Sequence, residues 1–290
     1  GSFRRWLDSL PIGSLPPRLT DGICILTHGQ DQWANALATF VLAKQAGLDL
    51  TFQYSDQPLR PASLYLLPGL RHGESFTRHF WLDLEARVRA GATLYVSHDD
   101  CLLSPFAEPF GLQVETRWRR SSPAIIQLAS HPEANLSLPA SFGLTLAPSS
   151  AEVLGREPDG NPIWARNKLG QGTAYFLGAP LEQACADMPG ALAGQSGFDW
   201  IYRDVMAGIP DGRALRQPEP RIGTTEHPLS DSQRLVVLIN YSPEPIETPC
   251  RLAAGWDLSA TWYGGQPRSA GAELRCTVGA NDALVLVVRT

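Results

Sequence analysis

The stretch SFTRHFWLDLEARVRAGATLYVSHDDC, residues 75–101, carries the pattern that decides the fold. Its first half has the apolar spacing of an amphipathic helix, and Gly91 ends that helix. Residues 93–96 are an apolar run without clear alternation, which is typical of a strand covered on both faces. The stretch therefore predicts a helix and then a central strand. That strand ends in residue types of hydrolytic triads and metal sites: Ser97, His98, Asp99, Asp100 and Cys101.

The same alternation of strand and helix precedes this stretch. Helix DQWANALATFVLAKQAG (31–47) is predicted with Asp31 as its cap and Gly47 as its end. Further along, EPDGNP (157–162) indicates a hairpin turn and 197–208 a last helix. Three short apolar runs are predicted strands: GICILTHG (22–29), LDLTFQYSD (48–56) and ASLYLLPG (62–69). This order indicates the α/β class with an open, doubly wound sheet.

Composition divides the chain into domains. Residues 21–209 are predicted to form the α/β domain. Residues 210–230 are rich in Pro, Gly, Arg and Glu, which predicts a linker. Residues 231–290 contain short strands with Gly and Pro turns, which predicts a small all-β domain, most simply a sandwich. Residues 1–20 are either an N-terminal arm or the remnant of an upstream domain.

Bulk properties exclude several classes of function. The 290 residues are 43% hydrophobic and 18% charged, as in globular proteins. A formal charge of -5 and a pI near 5.7 lack the basic footprint of a nucleic-acid-binding protein. No apolar run approaches the ~20 residues of a membrane span, and basic residues are scattered. We expect no nucleic acid and no membrane among the partners.

Five cysteines are spread along the chain without close pairs, and an odd count argues against a disulfide framework. No CxxC motif or Cys/His cluster indicates zinc, so no metal or other cofactor is expected. Cys24 and Cys276 are interpreted as small core thiols. Unpaired cysteines and no visible signal peptide favour a cytoplasmic protein. The start at Gly1 without Met predicts that the natural N-terminus is missing.

A hydrolytic triad in the segment 97–101 is disfavoured. Successive side chains of a strand point to opposite faces, so contiguous Ser97, His98 and Asp99 cannot converge as nucleophile, base and orienting group. A nucleophile elbow also needs glycines beside the nucleophile, whereas Tyr95 and Asp99 stand there.

A metal or ligand rim is the second interpretation of the polar strand end. It would use His98, Asp99 and Asp100, together with His28 or His72, because the carboxyl ends of parallel strands meet at one edge. The alternative is that these loops are polar because they face water, and we favour it. Asp99 or Asp100 could equally cap a helix near position 102.

Aromatic residues in two segments suggest carbohydrate contacts. Trp33 is a sugar-stacking platform if it is exposed, or a core residue of the first helical turn, which we favour. Trp262 and Tyr263 in SATWYGG could stack on carbohydrate from the β-domain, and packing in the sandwich core is again favoured.

Several segments in order resemble β-galactosidase-like glycoside hydrolases. Three resemble the middle domain of that family and two its small C-terminal β-domain: SLYLLPGL (63–70), WLDLEARVRAGATLYVS (81–97) and LGQGTAYFLGAPLE (169–182), then LVVLINYSPEP (235–245) and NDALVLVV (281–288). The resemblance implies a flavodoxin-like, class I glutamine amidotransferase-like domain that lacks amidotransferase activity and helps to build a trimer. It places the catalytic glutamates on an upstream (β/α)8 barrel of ~250 residues, for which this chain has no room.

The amidotransferase comparison also bears on Ser97. The nucleophilic cysteine of those enzymes lies in a Gly-x-Cys-x-Gly elbow after a central strand, and Ser97 falls near that place. Val96 and Asp99 stand where small residues are needed, and Cys101 lies too far along the chain. The comparison therefore carries over no catalytic residue.

The sequence favours a non-catalytic structural and oligomerisation region of a glycoside hydrolase in carbohydrate metabolism. A homo-oligomer, a trimer by resemblance, is the expected partner. One alternative is a carbohydrate-binding protein, with a ligand rim at His28, Trp33, His72, Ser97, His98, Asp99 and Asp100. Another is a free-standing amidotransferase-like hydrolase that uses residues 97–101.

Overall fold

The computed structural model describes residues 2–9, 15–28, 32–71, 76–99, 108–194, 196–209, 212–270 and 273–290. The chain forms two compact units. The larger unit comprises Asp21–Leu42 and Leu50–Ile209, and the smaller unit comprises Gly1–Thr20, Ala43–Asp49 and Pro210–Thr290.

Strands outnumber helices in both units. The helices are α1 (Ser2–Ser9), α2 (Gln32–Gln45), α3 (Arg78–Arg89), α4 (Leu181–Asp187) and α5 (Asp199–Ala207), with a 3-10 turn at Glu108–Phe110. The strands of the larger unit are β1 (Gly22–Leu26), β2 (Leu50–Tyr54), β3 (Leu64–Leu70), β4 (Thr93–His98), β5 (Leu112–Arg119), β6 (Ala124–Leu128), β7 (Asn135–Leu138), β8 (Phe142–Pro148), β9 (Glu152–Arg156), β10 (Pro162–Leu169) and β11 (Gly172–Leu177). Those of the smaller unit are β12 (Leu215–Arg216), β13 (Ile222–Ser230), β14 (Gln233–Asn240), β15 (Ile246–Leu252), β16 (Asp257–Tyr263), β17 (Arg268–Ala270), β18 (Glu273–Val278) and β19 (Ala283–Arg289).

A nine-stranded sheet organises the larger unit, in the order β2-β1-β3-β4-β11-β10-β9-β6-β7. The strands from β2 to β11 in this order pair in parallel, and those from β11 to β7 pair antiparallel. Strands β1, β3 and β4 are buried along their whole length, as their apolar runs predict. The mixed α/β class with a large sheet is confirmed.

Helix α3 shows how the opening stretch folds. It begins after Thr77, whose side-chain oxygen accepts a hydrogen bond from the Phe80 amide at 3.1 Å. Ser75, the first residue of the stretch that predicts this helix, lies outside the described residues. Gly91 follows the helix with a φ of +124°, a conformation that favours glycine. The predicted helix end at Gly91 is therefore confirmed.

The later part of the larger unit was predicted less completely. The hairpin turn is confirmed, since β9 and β10 pair antiparallel and Gly160 between them has a φ of +91°. The last helix, α5, is confirmed as well. Helix α4 was not predicted, because its seven residues are too few to show helical periodicity.

The smaller unit contains two four-stranded antiparallel sheets, β12-β15-β18-β17 and β13-β14-β19-β16. Side chains of both sheets share one core, which includes Ile222, Leu238, Ile246, Leu274 and Leu286. The sequence predicted a linker at 210–230. Part of it, Ile222–Ser230, instead forms strand β13 and pairs along β14. Its Pro and Gly residues are compatible with pairing because β13 is an edge strand.

The N-terminal segment packs within the smaller unit. The Trp6 ring of α1 lies 5.2 Å from the Tyr263 ring, measured between centroids. The buried carboxylate of Asp49 pairs with Lys44 at 3.0 Å and with Arg18 at 3.1 Å. Burial lowers the pKa of Lys44, and Asp49 opposes that shift.

The interpretation of Cys24 and Cys276 as core thiols is confirmed, because both are buried and unpaired by disulfides, as are Cys185 and Cys250. Cys101 lies outside the described residues. In the described ranges, no helix combines the length and the apolar character that crossing a membrane requires.

Candidate functional site

Ser97, at the end of β4, is fully buried and hydrogen-bonded on both sides. Its hydroxyl donates a hydrogen bond to Oε2 of Glu182. Its oxygen accepts a hydrogen bond from the Gly69 amide at 2.6 Å. A serine in this state offers no exposed nucleophile.

Glu182 is the centre of this buried cluster. It stands in the first turn of α4 and is fully buried. The hydroxyls of Tyr95 and Tyr202 each donate to its Oε1 at 2.8 Å, beside the Ser97 bond to Oε2. Burial raises the pKa of Glu182, and the three hydroxyl donors oppose that shift. Burial and then the neighbouring Glu182 raise the pKa of both tyrosines.

The backbone around Gly69 depends on the same cluster. Gly69 has a φ of +57°, and a Cβ there would collide with the Asn35 side chain. Asn35 in turn donates from Nδ2 to Gln183 Oε1 at 3.3 Å. Polar contacts thus join the ends of β3 and β4 to the start of α4, and the start of α4 to the start of α2.

The two polar residues that follow Ser97, His98 and Asp99, have other neighbours. His98 is fully buried, with its ring 6.3 Å from that of Phe176. Asp99 pairs with Arg71 at 3.0 Å, and its amide donates to the carbonyl of Leu70. The structure joins Ser97 to a glutamate and Asp99 to an arginine. His72 and Asp100 lie outside the described residues.

His28 belongs to a separate surface group after β1. Its Nε2 lies 3.2 Å from a carboxylate oxygen of Asp56, and both side chains are more than half exposed. The His28 ring stacks on Tyr54, with centroids 5.1 Å apart and planes at 8°. In the part of the chain that the structure describes, no three His, Cys, Asp or Glu side chains converge on one metal position.

The interpretation of Trp33 as a core residue is wrong, because it is 77% exposed on α2. Trp262 is also exposed, at 37%, and does not pack inside the β-domain. At Trp262, the register of β16 against β19 shifts between Thr261 and Tyr263, and such a bulge changes the direction of side chains.

Glu182 is the site residue that the sequence analysis missed. The sequence feature that could have revealed Glu182 is its position within GAPLEQACA (178–186), where the flanking residues are almost all small or apolar. A charged residue in such a run needs a polar partner inside the protein. The sequence does not reveal that the partners are two tyrosines and a serine from other elements.

Comparisons with known proteins place this arrangement in a structural context. A scan against protein-family models finds no match, and no curated protein matches the sequence. Among solved structures, 157 chains match. A catalytic mutant of Gan42B, a GH42 β-galactosidase from G. stearothermophilus, aligns with 96% of this chain and 41% of its own, at 12% identity and a TM-score of 0.64.

Two further neighbours extend the comparison. A β-galactosidase from the Antarctic haloarchaeon Halorubrum lacusprofundi aligns with 97% of this chain and 41% of its own, at 14% identity and a TM-score of 0.64. An α-L-fucosidase isoenzyme 2 from Paenibacillus thiaminolyticus aligns with 94% and 49%, at 13% identity and a TM-score of 0.66. The chain spans less than half the length of these neighbours, and identities this low show a shared fold alone.

Proposed function

We propose that this chain is a non-catalytic structural and assembly region of a glycoside hydrolase in carbohydrate metabolism, with a β-galactosidase-like parent. The observation that carries the proposal is the alignment of almost the whole chain with less than half of two β-galactosidases. On this proposal, the hydrolytic residues belong to a part of the parent that has no counterpart here.

The closed cluster at Ser97 supports a non-catalytic role. A nucleophile needs access to substrate and a base that takes its proton. Ser97 is buried, and its proton is directed to Glu182, whose other oxygen already accepts two tyrosine hydroxyls. The cluster holds strand and helix ends together, and a free-standing amidotransferase-like hydrolase is not favoured.

The order of the parallel strands supports a flavodoxin-like, class I glutamine amidotransferase-like character for the larger domain. The sheet contains five strands that pair in parallel: β1, β2, β3, β4 and β11. Numbered one to five along the chain, they lie side by side in the order 2-1-3-4-5. That is the order of doubly wound flavodoxin-like sheets.

An exposed apolar surface supports the assembly role and the trimer. Trp33 and Leu37 stand one turn apart on α2, and both are exposed. Phe52 and Tyr54 are also exposed, on the edge strand β2 that follows in the chain. Large apolar side chains exposed on two consecutive elements are candidates for protein contacts. We call these four residues the α2/β2 surface.

The mass and the activity of the chain in solution test this proposal. We expect light scattering to give a mass three times the 31.6 kDa of the chain at high concentration. We expect no hydrolysis of nitrophenyl galactosides, and full activity when the upstream part of the parent is present. A monomer at every concentration contradicts the assembly role. Galactosidase activity that Ser97→Ala removes from the isolated chain contradicts the non-catalytic role.

A carbohydrate-binding protein is the second candidate, and the exposure of Trp33 favours it. An exposed indole suits the apolar face of a sugar, and the exposed His28–Asp56 pair after β1 suits its hydroxyl groups. Titration with galactosides and plant-wall oligosaccharides, followed by Trp fluorescence, tests it. This candidate predicts a saturable change that Trp33→Ala abolishes, and an unchanged signal across the panel contradicts it.

A further inference from the structure

Two of the buried thiols, Cys250 and Cys276, are neighbours in the core of the smaller unit. Cys276 stands directly opposite Thr248 across the pair of strands β15 and β18, and Cys250 is two residues further along β15. Residues two apart on a strand point to the same face, and both thiols belong to the core that the two sheets share. Both residues have an exposed fraction of zero.

The two thiols interact with each other. A side-chain hydrogen bond joins Cys250 and Cys276. This bond raises the pKa of Cys250, as burial also does, and it lowers the pKa of Cys276 although burial opposes that shift. Cys250 therefore acts as the donor and Cys276 as the acceptor. In the larger unit, burial and then the charge of Glu182 raise the pKa of Cys24 and of Cys185.

A hydroxyl group beside this pair lacks a partner. Thr248 is fully buried, and in the described part of the chain its side-chain oxygen makes no hydrogen bond. A buried hydroxyl without a partner costs free energy, so its presence calls for an explanation. Because Thr248 is the cross-strand neighbour of Cys276, its hydroxyl is placed to donate to an anionic sulfur, or to an oxygen bound to that sulfur.

The sheet is only two strands wide where these residues lie. The outer strand β12 pairs with positions 251–252 of β15, and the outer strand β17 pairs with positions 273–275 of β18. Among the residues that the structure describes, no outer strand pairs with Thr248 or Cys276. Two paired strands are less stable than a wider sheet, so we expect this part to open more readily than the rest. Such opening admits a small reagent to the thiols.

We propose that Cys250 and Cys276 form an intramolecular disulfide when a hydroperoxide reaches the opened sheet. The Cys276 thiolate attacks one oxygen of the peroxide, the O–O bond breaks, and Cys276 becomes a sulfenic acid while the other oxygen leaves as water or an alcohol. The Cys250 sulfur then attacks the Cys276 sulfur, and the sulfenic oxygen leaves as water with the Cys250 proton. With hydrogen peroxide, the two thiols lose two electrons and give one disulfide and two water molecules.

The observations give each residue its own role. Cys276 attacks because the hydrogen bond from Cys250 stabilises its thiolate, and Cys250 keeps its proton until the second step. The Thr248 hydroxyl stabilises the thiolate and the sulfenic oxygen. Diagonal neighbours in a sheet have Cα atoms about 7–8 Å apart, whereas a disulfide needs less than about 7 Å. Closing the bond therefore requires a shift of about 1 Å between two strands that no outer strand restrains at this point.

Oxidation of the reduced 290-residue chain in native buffer tests the proposal. After treatment with hydrogen peroxide, the remaining thiols are alkylated in denaturant, and mass spectrometry of tryptic peptides identifies the cysteines that are joined. We expect a link between Cys250 and Cys276 that a reducing agent removes. Cys24 and Cys185 are the internal controls, since both are also buried, and we expect them to be alkylated as free thiols at the same peroxide dose.

Single variants separate the roles, after thermal unfolding has established that each is folded. In Cys250→Ala, the sulfenic acid of Cys276 should persist and react with dimedone, whereas in Cys276→Ala the remaining Cys250 should stay reduced. Thr248→Val keeps the shape of the side chain and should slow formation of the link about fivefold, the effect of one hydrogen bond. Thr277→Val removes an exposed hydroxyl beside Cys276 and should change the rate by less than about twofold.

Three outcomes with the unaltered chain overturn the proposal: no link between Cys250 and Cys276, a link that forms only after urea unfolds the protein, or equal oxidation of Cys24 and Cys185. Equal rates in Thr248→Val and in the unaltered chain overturn the role of that hydroxyl. The assay requires neither self-association nor sugar binding, so its failure is distinct from failure of the proposed function.

Discussion

The hydroxyl of Ser97 donates a hydrogen bond to the carboxylate of Glu182, a residue 85 positions later in the chain. The bond joins the end of a central strand to the first turn of α4. A serine that looks like a nucleophile in the sequence is therefore one of three hydroxyl groups that solvate a buried glutamate.

Replacing Glu182 tests the stabilising role of this cluster. Glu182→Ala leaves three buried hydroxyls without their acceptor, and we expect a loss of about 3 kcal/mol in the free energy of unfolding. Urea unfolding measures it, with Ser97→Ala, which removes one donor, expected to cost about 1–2 kcal/mol. A Glu182→Ala protein as stable as the wild type contradicts the role assigned to the cluster.

The pH dependence of stability follows from the same carboxyl group. Its pKa is raised above the ordinary value of 4.5 in the folded protein, so the folded state binds the proton more tightly than the unfolded state. The stability from that proton is present below the ordinary pKa and is lost as pH rises through the folded pKa. We expect the unfolding free energy of wild type relative to Glu182→Gln to fall across this window. A constant difference, measured by urea unfolding at several pH values, contradicts the shift.

Glu226 provides a matching test in the smaller unit. It is fully buried and accepts hydrogen bonds at 3.0 Å from the amides of Ala214 and Leu215 and from Arg234. We expect Glu226→Ala to destabilise this unit by about 3 kcal/mol, because the partly exposed guanidinium of Arg234 and two buried amides lose their acceptor. Hydrogen exchange should show faster opening of β13–β15 with less change in β1, β3 and β4. Uniform acceleration in both units is the contrary result.

Gly172 is expected to tolerate no side chain. A Cβ there would collide with the backbone oxygens of Val88 and Ala92, which cannot move without disturbing α3 and β4. We expect Gly172→Ala to lower the unfolding free energy by at least about 2 kcal/mol. Gly265→Ala is the control, since nothing lies within 4 Å of its Cβ position, and its effect should stay within about 0.5 kcal/mol. Similar thermal shifts for the two variants contradict the expectation.

Trp33 separates the two proposed functions. Because it is 77% exposed, Trp33→Ala should change the unfolding free energy by less than about 0.5 kcal/mol. On the assembly proposal, the variant shifts the mass measured by light scattering toward the monomer. Leu82→Ala, on exposed α3 surface outside the α2/β2 surface, should not. An unchanged mass together with a lost response to sugars favours the carbohydrate-binding candidate.

Local patterns identified much of the fold. The buried strands β1, β3 and β4 were readable because sheets covered on both faces require continuous apolar runs. Gly91 and the turn at Gly160 were readable because their backbone conformations favour glycine. Strand β13 was missed, because Pro and Gly residues are acceptable at a sheet edge and composition alone does not reveal an edge.

The amino-acid sequence by itself determined many of the strands, helices and turns, since those depend on residues close together in the chain, although α4 and β13 were missed. Only the tertiary structure decided which side chains meet. Ser97 and Glu182 are buried partners because β4 and α4 pack together, and Trp33 is exposed because the core covers another side of α2. Such pairings are set by packing between distant segments, and no spacing within one segment records them.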